Sequence, residues 1–346
     1  MTNDDRQLAG ATRRSIWRLL VGSLICGLGS SAWAATEIPL GGGSVIRFAD
    51  VAEGVAAVTA HDDYIRQLSP FDRQVRPRTD RDVSEQEFLD FLGSHVLPWQ
   101  PADIQKLTPL LTEVARKIAP WKLPLPPVVL LVKTSGREEG AAAYCRGPAI
   151  VLPQNMIDGR TATLETVLPH ELFHVLSNQN PELRRALYAP IGFQPCNEVP
   201  LPESIAARKI TNPDAPLNNH YITVRQDGRE LDLMPVLYAN APRYDAARGG
   251  NLFSYLTFRL MQLEHVEGGR RPLLVDGQPV LLDPATVPGY HDQIGRNTRY
   301  IIHPEEVLAD NFVYLINGRA DLPSPQVVQR MAEVLRSAAQ PAESSR

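Results

Sequence analysis

Proline fills 30 of the 346 positions in this chain, nearly twice its share of about 5% in ordinary proteins. Each proline fixes φ and removes a backbone donor, so the chain must turn often and long uninterrupted helices are disfavoured. With 43% hydrophobic and 21% charged residues, it is long enough to bury a sizeable core as one lobed domain or two smaller ones. The net charge of -4 and the absence of a basic run argue against nucleic acid as a partner.

The first 34 residues read as an export signal. "TRRSIWRLLVGSLICGLGSSAWA" has a basic start, a short apolar stretch from Leu19 to Leu28 and the small-residue triplet Ala32-Trp33-Ala34, with cleavage expected before Ala35. Arg13-Arg14 resembles a twin-arginine signal. The apolar stretch is too short and glycine-rich for a membrane span of about 20 residues. The mature chain is therefore expected in the periplasm or outside the cell, with no stable span. It keeps Cys145 and Cys196, which an oxidising compartment would allow to pair, though two free thiols fit equally well.

Residues 35–100 read as an N-terminal region packing on a catalytic part that runs from 101 to 346. "PLGGGSVIRF" has the texture of a lead-in linker. Ser84 and Glu87 form a capping box opening a helix. Ile104, Leu107, Leu111, Val114 and Ile118 share one helical face, with Pro109 inside it. "PPVVLLVKTS" reads as a buried strand and "AAAYCRGPAIVLP" as two strands around Arg146-Gly147. Glu138 and Glu139 lie between these strands and read as a solvated acidic turn. From about 200 to 300 the texture is β-like. Asp-Gly pairs in "YITVRQDGRELDL" and "PLLVDGQPVLL" mark hairpins, and "LFSYLTFRLMQLEHV" favours strand. Helices return in "HPEEVLADNFVYLING" and "SPQVVQRMAEVLRSA", followed by a tail.

The chemistry is concentrated in "TLETVLPHELFHVLSNQN". His170 and His174 stand four apart, so a helix points both rings the same way, close enough to hold one metal ion. Glu171 is rotated by about 100°, beside the metal's open position, where it can move a proton. This H-E-x-x-H arrangement is a zinc signature, and Leu164, Val167, Leu168, Leu172, Val175 and Leu176 make the surround of a buried helix. Pro169 precedes His170 and predicts a bend or a late helix start, without disturbing the ligand spacing.

A third ligand does not follow on the same segment, because Ser177 and Asn180 stand where a Gly and a His would be needed. "HPEEVLADNF" supplies Glu306-x-x-x-Asp310, two carboxylates one helical turn apart. Glu306 can reach the metal while Asp310 accepts the outer N–H of a ligand histidine. Glu198, Glu203, Glu305 and His303 stay open as alternatives, because about 130 residues separate His174 from Glu306.

With these two motifs the chain resembles the gluzincins, the thermolysin-like zinc peptidases. The resemblance implies an α+β, zincin-like fold: a mixed sheet, an active-site helix, a β-rich insertion and a helical C-terminal part. It implies Zn²⁺ held by His170, His174 and Glu306, with Asp310 behind them. A peptide or protein substrate would be hydrolysed by zinc-bound water with Glu171 as general base. A Tyr or His donor for the oxyanion is expected too, with His220, Tyr221, Tyr290, His291 and Tyr300 as candidates and none assigned. The edge strand that would line the substrate is expected in "AIVLP". An exported zinc-binding or scaffold protein without turnover is the competing expectation, and the intact Glu171 speaks against it.

Overall fold

Apolar alternation in the segments around residues 130 and 150 dictates the central layer. A computed structural model describes residues 37–339, which belong to one unit running from Ala35 to Arg346. The export signal and the C-terminal tail lie outside the described residues. The strands are β1 (Glu37–Gly41), β2 (Ser44–Phe48), β3 (Val128–Thr134), β4 (Tyr144–Arg146) and β5 (Ala149–Pro153). They form one sheet in the order β1-β2-β3-β5-β4. β2, β3 and β5 run parallel, and β1 and β4 are antiparallel edges.

Period two sends Val129, Leu131, Cys145, Ile150 and Leu152 to one face and Val132, Tyr144, Ala149 and Val151 to the other. The second face is covered by α1 (Val51–Val58) and α2 (Glu85–Ser94), the latter opened by the expected capping box of Ser84 and Glu87. A Cβ on Gly54 of α1 would meet Val96 at 2.8 Å and Val132 at 3.1 Å, so glycine is what lets this helix approach the sheet. The first face packs on α3 (Pro101–Ile118) and α4 (Thr161–Gln179), and then on α5 (Pro181–Tyr188), α6 (Pro304–Ile316) and α7 (Pro325–Ala338). Proline occupies the first turn of α3, α5, α6 and α7, where its missing N–H costs nothing.

A second, antiparallel sheet fills the expected β-rich stretch. It runs β6 (Phe193–Pro195), β7 (His220–Gln226), β8 (Arg229–Ala239), β9 (Leu256–Val266) and β10 (Gly269–Pro272). Both Asp-Gly hairpins form, with Asp227, Gly228, Asp276 and Gly277 all at positive φ, as a two-residue turn of this hand requires. The whole is mixed α+β. Among the described residues no helix is long and apolar enough to cross a membrane.

Three expectations are corrected. The glycine-rich "PLGGGSVIRF" is no linker but the β1–β2 hairpin, its three glycines turning at positive φ so that residues 37–48 supply two strands of the central sheet. "AIVLP" is β5 and lies inside the sheet; the outer strand on that side is β4, "YCR". The acidic turn is not solvated, since Glu138 is 0% and Glu139 5% exposed. Arg76 explains Glu139, binding its two carboxylate oxygens at 2.7 Å each while also pairing with Asp72 at 2.6 Å. A buried carboxylate is tolerable when a bidentate guanidinium meets it.

Glu138 has no such partner: neither oxygen is hydrogen-bonded. Thr134 and the Gly136 N–H lie near enough to favour its charge, but burial dominates and pushes its pKa from 4.5 up to about 7. Below about pH 4.5 the carboxyl is protonated in both folded and unfolded chains, and it costs nothing. Above that the unfolded chain releases a proton that the folded one keeps, so stability falls as pH rises to about 7 and stays low beyond. Glu138→Gln is therefore expected to be near neutral at pH 4.5 and to stabilise the fold by up to about 3 kcal/mol at pH 8, read from denaturant unfolding at the two pH values.

Candidate metal centre

The second half of α4 is buried almost all round, with Leu168, Leu172, Phe173, Val175 and Leu176 in the core. The helix runs without a break from Thr161 to Gln179 through Pro169, so the late start allowed by the sequence does not occur. On it His170 and His174 face α6, their rings 4.7 Å apart. α6 starts at Pro304, which places Glu305 and Glu306 in its first turn, both buried.

The ligand atoms meet as follows. His170 Nε2 is 3.2 Å and His174 Nε2 3.5 Å from the same oxygen, Glu306 Oε2. All three donor groups lie within 4.8 Å of one another and could hold a metal ion. The outer nitrogens are engaged as well. His170 Nδ1 is 3.0 Å from Asp310 Oδ1, which places Asp310 behind the ligand as its spacing predicts. Asp310 is in turn held by the Thr298 hydroxyl. His174 Nδ1 is 3.1 Å from Glu305 Oε1. Glu305 also accepts from Tyr188 at 2.5 Å and Ser177 at 2.9 Å, so α5 braces this carboxylate. With each Nδ1–H donated to a carboxylate, each Nε2 of a neutral ring presents a lone pair to Glu306.

That arrangement asks for a cation. Two lone pairs and a carboxylate oxygen repel unless a proton or a metal ion stands between them, and His174 Nε2 is buried with no hydrogen-bond partner. Electrostatics agree. Burial disfavours a charged His170, yet its bonds to Asp310 and Glu306 outweigh burial and raise its pKa to about 9. His174 is raised as well, against burial, by Asp214, Glu306 and Glu305. Burial works against a charged Glu306, but the two imidazoles hold its carboxyl well below the usual range. Glu305, Glu306 and Asp310 thus surround two rings, with Glu171 and Asp214, whose pKa values burial raises, beside them, an acidic cluster that a divalent ion would balance.

Glu171 lies beside this cluster and is 4% exposed. Burial raises its pKa, opposed by the two histidines. The Cys145 thiol on β4 donates to its backbone carbonyl at 3.1 Å and lies 3.6 Å from its carboxylate. Of the oxyanion candidates, Tyr300 alone stacks on the site, 6.2 Å from the His170 ring and nearly parallel. Although the residue is 41% exposed, desolvation of its phenol, with Glu306, Asp214 and Glu171 nearby, raises its pKa and keeps the hydroxyl a donor. Tyr290 is spent on Ile301 O, His291 approaches Pro284 O, and Tyr221 bonds Gln194. His220 packs on Tyr188 instead.

The other third-ligand candidates fall elsewhere. Glu198 accepts from the Asn218 N–H, Glu203 is exposed, Glu305 holds His174 from behind, and His303 caps α6 through Glu305 N. Cys145 and Cys196 are both free thiols.

The sequence reading missed Asn212 and Asp214, and offered Glu305 only as an alternative ligand. Asn212 Nδ2 donates to Glu306 Oε1 at 2.6 Å, leaving Oε2 to face the histidines. Asp214 and Glu305 close the cluster. "TNPD" carries only a turn signal, and its placement comes from Thr211, which the buried Asp72 grips by both N–H and hydroxyl. Because Asn212 orients a ligand oxygen, Asn212→Ala is expected to weaken metal binding about 10–100-fold without changing stoichiometry at saturation; competition with a metal-binding dye measures this.

Comparison of the chain with models of protein families, with curated proteins and with solved structures returned no match. The site is therefore read from its own chemistry.

Proposed function

We propose that this chain is an exported, zinc-dependent metallopeptidase of the gluzincin type, held in the periplasm or released from the cell. One observation carries the proposal: two imidazole Nε2 atoms and Glu306 Oε2 converge, with the buried Glu171 carboxyl beside them. Two nitrogens and one carboxylate oxygen suit zinc, and three protein ligands leave a position open, as catalytic zinc sites do. When bound, the ion supplies a Lewis acid that polarises a substrate carbonyl and lowers the pKa of a water.

The residues then divide the work. Asp310 and Glu305 hold the two rings in the tautomer that turns Nε2 inward. Glu171, its pKa raised by burial, takes the proton of the attacking water and passes it to the leaving amine. Tyr300 donates to the oxygen on which negative charge develops. Tyr300→Phe is expected to lower kcat about 100-fold with little change in metal content, measured by steady-state kinetics on a peptide substrate.

The test of the whole reading is metal content of the purified chain by mass spectrometry, followed by incubation with a peptide library with and without a chelator. Stoichiometric zinc and chelator-sensitive cleavage are the expected results. A metal-free chain, or cleavage indifferent to the chelator, would defeat it.

A further inference from the structure

The outer edge of β4 is where an extended peptide could add to the sheet next to Glu171, and the chain already occupies it. Cys145 pairs with Ile150 on β5, and its N–H donates at 2.7 Å to Asp214 Oδ1. The Asp214 carboxyl, 6% exposed as a residue, lies within 4.8 Å of the Cys145 thiol and the Glu171 carboxyl. Its charged neighbours are His174, Glu171 and Glu306.

The segment after Asn212 also lines two separate cavities. Pro213 lines a cavity of about 200 Å³ that is bordered by Arg184, Tyr188, His220 and His303. It equally lines a smaller one of about 50 Å³ bordered by Leu252, Phe253 and Tyr300. Residues 213–217 stand between the two as a partition.

Their attachment is uneven. Thr211 is locked by Asp72 and by Arg76, whose guanidinium donates to its carbonyl at 2.9 Å. Beyond Asn212, only two hydrogen bonds reach residues 213–217 from other segments among the described residues: Cys145 N–H to Asp214, and Lys209 Nζ to Pro216 O at 2.8 Å. The remaining bonds are internal, from Asp214 N and Ala215 N back to Asn212. A peptide carbonyl can replace Asp214 on the Cys145 N–H, and doing so releases a carboxyl that burial holds well above the usual carboxylate range.

We propose that residues 213–217 are a displaceable internal plug, hinged at Asn212, that occupies the trough where the substrate peptide binds. In the closed state Asp214 takes the edge-strand donor and the partition stands. In the open state the Cys145 N–H, next to Glu171, is free to take a peptide carbonyl. That the trough receives a peptide rests on the metallopeptidase reading; that the segment opens does not.

Hydrogen exchange on the wild-type chain tests the opening without any need for turnover. The amides of Asp214, Ala215, Leu217 and Cys145 are expected to exchange together, at least 100-fold faster than that of Val151 inside the sheet. Asp214→Ala is expected to speed exchange at Cys145 at least tenfold, whereas Asp214→Asn, which keeps the Oδ1 acceptor, stays close to wild type. Exchange of residues 214–217 only at the rate of Val151 would overturn the plug, and this holds even if the alanine variant fails to fold. In the activity arm, Asp214→Ala is expected to cleave peptides faster than wild type, and slower cleavage by a folded variant overturns the plug as well. Fast joint exchange with no cleavage by any of the three proteins would sink the peptidase reading and leave the plug standing.

Discussion

Replacing Glu171 by glutamine is expected to reduce peptide hydrolysis about 10³- to 10⁴-fold while leaving metal content at the wild-type level. Glutamine keeps the size and one acceptor oxygen, so the packing of α4 should survive. What it loses is the capacity to take a proton and give it back. The carboxyl is not among the three groups that converge as ligands, which is why metal content should not change. The site is also built to keep this carboxyl basic, since burial and the nearby Glu306 raise its pKa against the pull of the two histidines and the Cys145 thiol. Metal analysis and steady-state kinetics on the same preparation give both numbers. Equal rates for variant and wild type would remove Glu171 from the mechanism, and a scaffold role would then fit the site better than catalysis.

Glu306→Ala should produce the other large change, in metal binding and in the stability that binding confers. A site held at a metal concentration 1,000 times its Kd gains about 4.1 kcal/mol of stability by mass action. The wild-type chain should therefore unfold at clearly lower temperature when a chelator is added. The variant should lack that response, because the oxygen shared by His170 and His174 is gone. Without metal the variant should also be less stable than the wild type, because the two imidazoles and Asn212 favour this carboxylate in its ionised form and lose their partner when it is removed. Full zinc content in Glu306→Ala, with the chelator response intact, would move the third ligand to another residue.

Much of this centre was legible because its parts repeat at helical spacing. His170 and His174, and separately Glu306 and Asp310, lie four residues apart, and each pair stays on one helix face whatever the rest of the chain does. Capping boxes, Asp-Gly turns and alternating apolar strands were readable for the same reason: each is enforced within a few residues. The errors arose where a local signal met a distant partner. Three glycines looked like a linker until β2 paired with β3, about 80 residues away. Glu139 looked solvated until Arg76 reached it from 63 residues away. "AIVLP" was assigned to the edge because nothing in its composition reveals that β4 lies outside it.

By itself, then, the sequence determined the two helices that carry the candidate metal ligands, the residue types on them and the hairpins between them, since backbone geometry writes those periods directly into the order of residues. Only the tertiary structure decided that the helices face each other, that Glu305 and Asn212 brace the cluster, and that Asp214 lies against β4. Those placements depend on how sheet order and core packing bring segments together across 131 residues for Glu305, 94 for Asn212 and 69 for Asp214, and no periodic pattern spans such distances.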